Sequence, residues 1–179
     1  GTYTEYLLTP EAGVDDISIL NHDVREIIDD GEFLWVGTKL GITVIDFEES
    51  GSVNYHLPQG HDLHDMILLD DNLVMFTESG TWIAGRDSGV LDDILQWSYF
   101  PGKYTAGAKL ATDSGDDYVI GLGYGGFGSV FQINDLSVTK LSLGTGISNA
   151  MSGGNATATV VAHADVAVGG KTLFVGTDV

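Results

Sequence analysis

The side chains best equipped for chemistry cluster in one segment: His56, His61, Asp62, His64 and Asp65. Imidazole and carboxylate together suit zinc, manganese or iron. On an extended chain, however, His61 and His64 point to opposite sides, so their spacing does not support joint ligation. Solvated histidines between strands are the simpler account of the pattern. A second set consists of aspartates: Asp29-Asp30, Asp70-Asp71, and Asp113 with Asp116-Asp117. Calcium takes six to eight oxygen ligands, but none of these runs has the D-x-[DN]-x-[DN]-G order of an EF-hand loop. Asp at such places is also the ordinary chemistry of tight turns. The metal candidates are thus His61, His64, Asp113 and Asp116, with calcium the cation for the aspartates. The expectation is a chain without a resident metal or cofactor.

Other chemical signatures are sparse. The run Gly121–Gly128 reads GLGYGGFG and contains G-x-G-x-x-G twice. A dinucleotide site needs a helix directly after that fingerprint, whereas Ser129-Val130-Phe131-Gln132-Ile133 reads as strand, which favours a glycine-rich hairpin loop. No G-x-S-x-G elbow is present. Acidic pairs are too common here to mark a general acid and base, and only Arg25 and Arg86 supply guanidinium groups for clamping an anion. Catalysis is therefore not expected. Asn155-Ala156-Thr157 is a glycosylation triplet that matters only in a secreted product.

The elements that must position these residues are strands. In the stretch Val24–Leu57, four short apolar runs are separated by turn residues: Val24–Ile28, Phe33–Val36, Ile42–Phe47 and Val53–Leu57. Asp29-Asp30-Gly31-Glu32 is a hairpin signal. The β-branched and alternating runs suit strands, and no window carries a sustained 3.6-residue apolar period. The four runs predict one antiparallel meander. Leu34-Trp35-Val36-Gly37-Thr38 has counterparts beginning at Leu73, Tyr118 and Leu173, spaced 39, 45 and 55 residues apart along the sequence. A unit of four strands recurring at about 40–50 residues is the spacing of propeller blades.

Leu34-Trp35-Val36-Gly37-Thr38, followed by Gly41-Ile42 and Val44, resembles the LWVGT repeat of sensor-type β-propellers found in hybrid two-component regulators. The match is good in this blade, weaker at Leu173–Thr177 and poor in the two between. The resemblance implies a fold more than a role, since propellers of viral tails and cell-surface proteins carry similar blades.

The fold expected is all-β: a β-propeller-like array of four-stranded antiparallel blades. Taken in order, it holds an outer strand at 2–8, a polar connection at 9–23, blades at about 24–60, 63–100 and 104–144, and a half-blade at 157–179. In the second blade the fourth strand is expected within Ile94–Phe100. About three and a half blades make an incomplete ring, to be closed by the remainder of a longer chain, by protein partners or by a homo-oligomer.

Composition limits the partners. The chain has 179 residues, 26 acidic against 7 basic, and a formal net charge of −19. That surface repels nucleic-acid backbones and anionic membranes. It is easier to tolerate in high salt, so a marine, halophilic or extracellular setting fits. Cysteine is absent, which excludes disulfides and thiolate chemistry. No apolar run approaches the length of a membrane-spanning helix, and no signal peptide is visible. The leading expectation is a non-enzymatic interaction or assembly scaffold in an extracellular, cell-surface or virion protein. The alternatives are a ligand-binding sensor propeller and a propeller enzyme acting on glycans.

Overall fold

The structure is a computed structural model that describes residues 8–9, 17–48, 51–87, 91–110, 117–122, 128–134, 137–141, 156–165 and 170–177. The chain divides into two compact units, Gly1–Leu63 and His64–Val179.

The first unit opens with two short strands, β1 (Leu8–Thr9) and β2 (Ile17–Ser18), paired in parallel. The meander follows: β3 (Val24–Asp29), β4 (Leu34–Thr38), β5 (Gly41–Asp46) and β6 (Gly51–His56), antiparallel in the order β3-β4-β5-β6. All four expected runs are strands, each displaced by only one or two residues. The register sets Ile27, Val36, Thr43 and Asn54 side by side on one face, and Ile28, Trp35, Val44 and Val53 on the other. On the first face Val36 and Ile45 are fully buried and pack with Ile19 and Leu34. Ile19 lies in the segment 9–23, which sequence reasoning treats as a polar connection. The structure corrects this: within that segment Ile19 is buried and enters the blade core.

Turn chemistry fixes the hairpins. Asp30 Oδ1 accepts from the Glu32 and Phe33 backbone N–H groups, and its Oδ2 accepts from Trp35 Nε1 at 2.8 Å. Gly31 between them has φ +90°. At the next hairpin the Thr38 hydroxyl donates to the Gly41 carbonyl at 3.1 Å. Gly41 has φ +152°, a backbone conformation that side chains disfavour.

In the second unit the sheet β10-β9-β8-β7 is built from β7 (Leu63–Leu68), which starts at the unit boundary, β8 (Asn72–Thr77), β9 (Gly80–Gly85) and β10 (Ser98–Phe100). The β8–β9 hairpin repeats the device of the first blade: Thr77 donates to the Gly80 carbonyl at 2.9 Å, and Gly80 has φ +150°. The expected fourth strand over Ile94–Phe100 is only half right. Asp93 caps a single 3-10 turn, Ile94–Gln96, by accepting from Leu95 N–H, and the strand begins only at Ser98. A side-chain cap outcompetes strand pairing at that point.

The third sheet runs β11 (Ala106–Leu110), β12 (Asp117–Leu122), β13 (Gly128–Asn134) and β14 (Ser137–Leu141) in sequence order. β15 (Ala156–Asp165) and β16 (Gly170–Thr177) form an antiparallel pair. The second and third sheets pack face to face through Ile67, Val74, Phe76, Ile83, Tyr104, Val119, Phe131 and Ile133. Phe76, Tyr104 and Phe131 meet edge to face, at centroid separations of 5.7 and 5.3 Å. Each fully buried aromatic contributes about 1.5–3 kcal/mol through area removed from water. Gly107 leaves the space that the Phe76 ring occupies; a Cβ there would overlap it.

Candidate functional site

Among the described residues the first blade carries more than one hollow with mixed polar and apolar lining. One is lined by Phe33, Val44, Asp46, Gly51, Ser52 and Val53. The one that gathers histidine and aspartate candidates lies at a turn end of the blade. It arises from two segments. One is the Lys39-Leu40 turn between β4 and β5. The other is the connection from His56 to Asp62 that leaves β6. Main-chain bonds knit the two together. Lys39 N–H donates to the Asp23 carbonyl at 2.9 Å, Leu57 N–H to the Leu40 carbonyl at 2.9 Å, and Leu63 N–H to the Lys39 carbonyl at 3.1 Å. Within the connection, His61 N–H donates to the Pro58 carbonyl, and Gly60 has φ +85°. That is a type II turn, which requires glycine at its third position.

The hollow has a volume of about 230 Å³ and is open to solvent. Leu40, Leu57 and Pro58 supply apolar surface, and His56, His61 and Gln59 supply hydrogen-bonding groups. Lys39 Nζ lies 3.1 Å from Asp62 Oδ2, so the charges at the rim are paired. Such a lining suits a ligand or peptide with an apolar body and a few polar groups. Among the described residues that line the hollow there is no serine, threonine or cysteine.

The sequence-level metal candidates separate. His56, His61 and Asp62 meet at the hollow, while His64 is the second residue of β7. Asp65 is engaged with the backbone: its carboxylate accepts from Met66 N–H at 2.8 Å and from Gly107 N–H at 2.6 Å, tying β7 to β11. Among the described residues no three of His, Asp or Glu converge to hold a metal ion. Asp29 and Asp30 serve as turn acceptors. Asp70 pairs with Lys109 at 2.8 Å, and that lysine's hydrogen bond and charge hold its carboxyl below the ordinary value. Asp113 and Asp116 lie outside the described residues, as does Asn155. The glycine-rich run joins β12 to the antiparallel β13, so strand and not helix follows it. No helix among the described residues is long and apolar enough to cross a membrane.

Sequence reasoning missed Lys39, Leu40 and the Leu57–Gln59 segment. The signal was available in Thr38-x-x-Gly41 and Pro58-x-Gly60, two tight turns flanking one strand pair.

Neither protein-family models nor curated proteins match the chain. Solved structures do. The N-terminal domain of Nup159 superposes with a TM-score of 0.54 at 12% identity, covering 79% of this chain and 37% of that one. The Neurospora crassa Pan2 WD40 domain gives 0.51 at 13% identity, covering 79% and 44%. The extracellular domain of a hybrid two component system from B. thetaiotaomicron gives 0.52 at 20% identity, covering 76% and 18%. The chain spans less than half the length of each. These are β-propeller domains, and the four-stranded antiparallel sheets of this chain are propeller-type blades.

Proposed function

We propose that this chain is part of a β-propeller acting as a non-catalytic interaction module in an extracellular, cell-surface or virion protein. The hollow at Lys39, Leu40 and His56–Asp62 is its recognition site. The observation that carries this reading is the bracing of the hollow. Both walls are tied to each other and to the flanking strands by main-chain hydrogen bonds, so little ordering is lost on binding. One propeller neighbour, Nup159, is bound to Dbp5 in a complex from S. cerevisiae, which supports a role in protein interaction.

A second reading has its own support. Leu34–Thr38 with Gly41-Ile42 resembles the sensor-type repeat, and a hybrid two component system's extracellular domain is among the structural neighbours. In that reading the same hollow takes a small ligand.

Both are tested by titrating the isotope-labelled chain with amino acids, simple sugars, dicarboxylates and a mixed tetrapeptide pool while following backbone amide shifts. Shifts confined to Lys39, Leu40, His61 and Asp62 are expected. A peptide response favours the interaction module, and a small-molecule response favours the sensor. No shift at these four residues with any probe, or hydrolysis of glycoside substrates, overturns the proposal.

A further inference from the structure

A separate feature lies on the second blade, at the edge of its sheet. Trp82 on β9 and Tyr99 on β10 stand directly opposite each other, with ring centroids 4.8 Å apart and planes tilted by 55°. Polar contacts at one turn hold both rings. Trp82 Nε1 donates to Ser79 Oγ at 3.2 Å, the Tyr99 hydroxyl donates to the Ser79 carbonyl at 3.3 Å, and Ser79 Oγ lies 3.0 Å from Thr77 Oγ1. Gly80 makes room for them, since a Cβ there would meet the Tyr99 ring at 2.5 Å. Tyr99 nevertheless keeps 52% of its surface exposed, and Leu95 in the preceding turn keeps 85%. Four exposed acids, Glu78, Asp87, Asp92 and Asp93, surround this edge in the sequence, against one base, Arg86. Asp93 caps the 3-10 turn; the others project from turns.

A fixed aromatic pair, with Tyr99 exposed and Trp82 half-buried, and with carboxylates in the neighbouring turns of the sequence, is matched by a cation that stacks. A cation over an aromatic face is drawn by the ring quadrupole. Arginine is better suited than lysine, because its planar, weakly hydrated guanidinium stacks on rings and also meets carboxylates. The chain's charge of −19 steers basic partners toward it over longer range. We propose that the Trp82–Tyr99 edge of the second blade binds arginine side chains of a basic protein segment. This takes from the preceding reading only that the chain is an interaction module; the hollow of the first blade has no part in it.

The probe is a short peptide of alternating arginine and glycine, titrated into the chain by calorimetry, with the Trp82 indole resonance followed in parallel. A glutamate–glycine peptide is the control. Tyr99→Ala leaves the net charge unchanged and is expected to weaken arginine-peptide binding about two- to fivefold, whereas Tyr99→Phe retains it. Equal binding by Tyr99→Ala and the parent overturns the proposal, because the attraction is then only the diffuse field of the acidic surface. Should Tyr99→Ala fail to fold, Glu78→Lys is compared with Glu48→Lys, an exposed site in the first unit with the same change in net charge. A larger loss from Glu78→Lys supports the site, and equal losses overturn it. Because the readout sits at Trp82, its failure is separable from failure at Lys39 and His61.

Discussion

Asp65 is a clamp between two strands of the second unit. Its carboxylate accepts from Met66 N–H in its own strand and from Gly107 N–H in the first strand of the next sheet. Gly107 is buried against Phe76 and Ile67, which limits the access of water to its amide. Asp65→Ala therefore orphans a buried donor, at about 1–3 kcal/mol, and removes a second bond worth about 1 kcal/mol. The expected loss is about 2–4 kcal/mol. At a slope of about 2 kcal/mol per molar urea, the unfolding midpoint falls by about 1–2 M. Asp65→Asn, which keeps one acceptor oxygen, falls between. Urea unfolding combined with hydrogen exchange at the Gly107 amide reads the effect directly. A loss under about 0.5 kcal/mol with unchanged exchange at Gly107 would refute the clamp.

Three further outcomes follow from other contacts. Trp35→Phe keeps an aromatic ring but loses the bond to Asp30, at about 1 kcal/mol, and leaves part of the buried indole's space unfilled; Asp30→Ala loses the same bond and also frees the Glu32 and Phe33 amides. Thermal melts of the two singles and the double variant measure their coupling, and strict additivity would contradict the contact. Gly80→Ala is expected to destabilise by about 1–3 kcal/mol, from the φ of +150° and the Tyr99 ring together. A Tyr99→Ser background should recover part of that loss, and no recovery would show that the ring is not the obstacle. Burial holds the Glu26 carboxyl above its ordinary value of 4.5, opposed more weakly by its hydrogen bond from Ile27 N–H. Its ionised form is thus disfavoured in the folded chain. The resulting penalty is full above the folded pKa and fades as pH falls toward and below 4.5. Glu26→Gln should be the more stable protein at neutral pH and lose that advantage in acid; a parent more stable at neutral pH would contradict the assignment.

Strand placement was legible because short apolar runs alternate with Asp-Gly and Gly-rich turns, a local signal that the meander Val24–His56 obeys almost residue for residue. The errors arise where a non-local or side-chain effect wins. Ile17–Leu20 looks like part of a polar connection until Ile19 is seen buried beside Val36 and Ile45. Ile94–Gln96 is apolar enough for a strand but is captured by the Asp93 cap. The site was less readable. The histidine and aspartate cluster was visible as residue types, but chain spacing could not separate Asp65, which bonds to backbone, from His61 and Asp62, which reach the hollow. Leu40 and Pro58 carry no chemical signature, and only the folded turns bring them to the same place. Likewise nothing in sequence spacing sets Trp82 against Tyr99, whose pairing depends on where β10 begins.

The account depends on four-stranded antiparallel blades built to one plan. Interstrand proton contacts in the labelled chain test this most directly. The plan predicts close backbone contacts along Ile27–Val36–Thr43–Asn54 in the first blade and along Val74–Ile83–Ser98 in the second. Helical contacts within either stretch, or β4 paired with any strand other than β3 and β5, would contradict it.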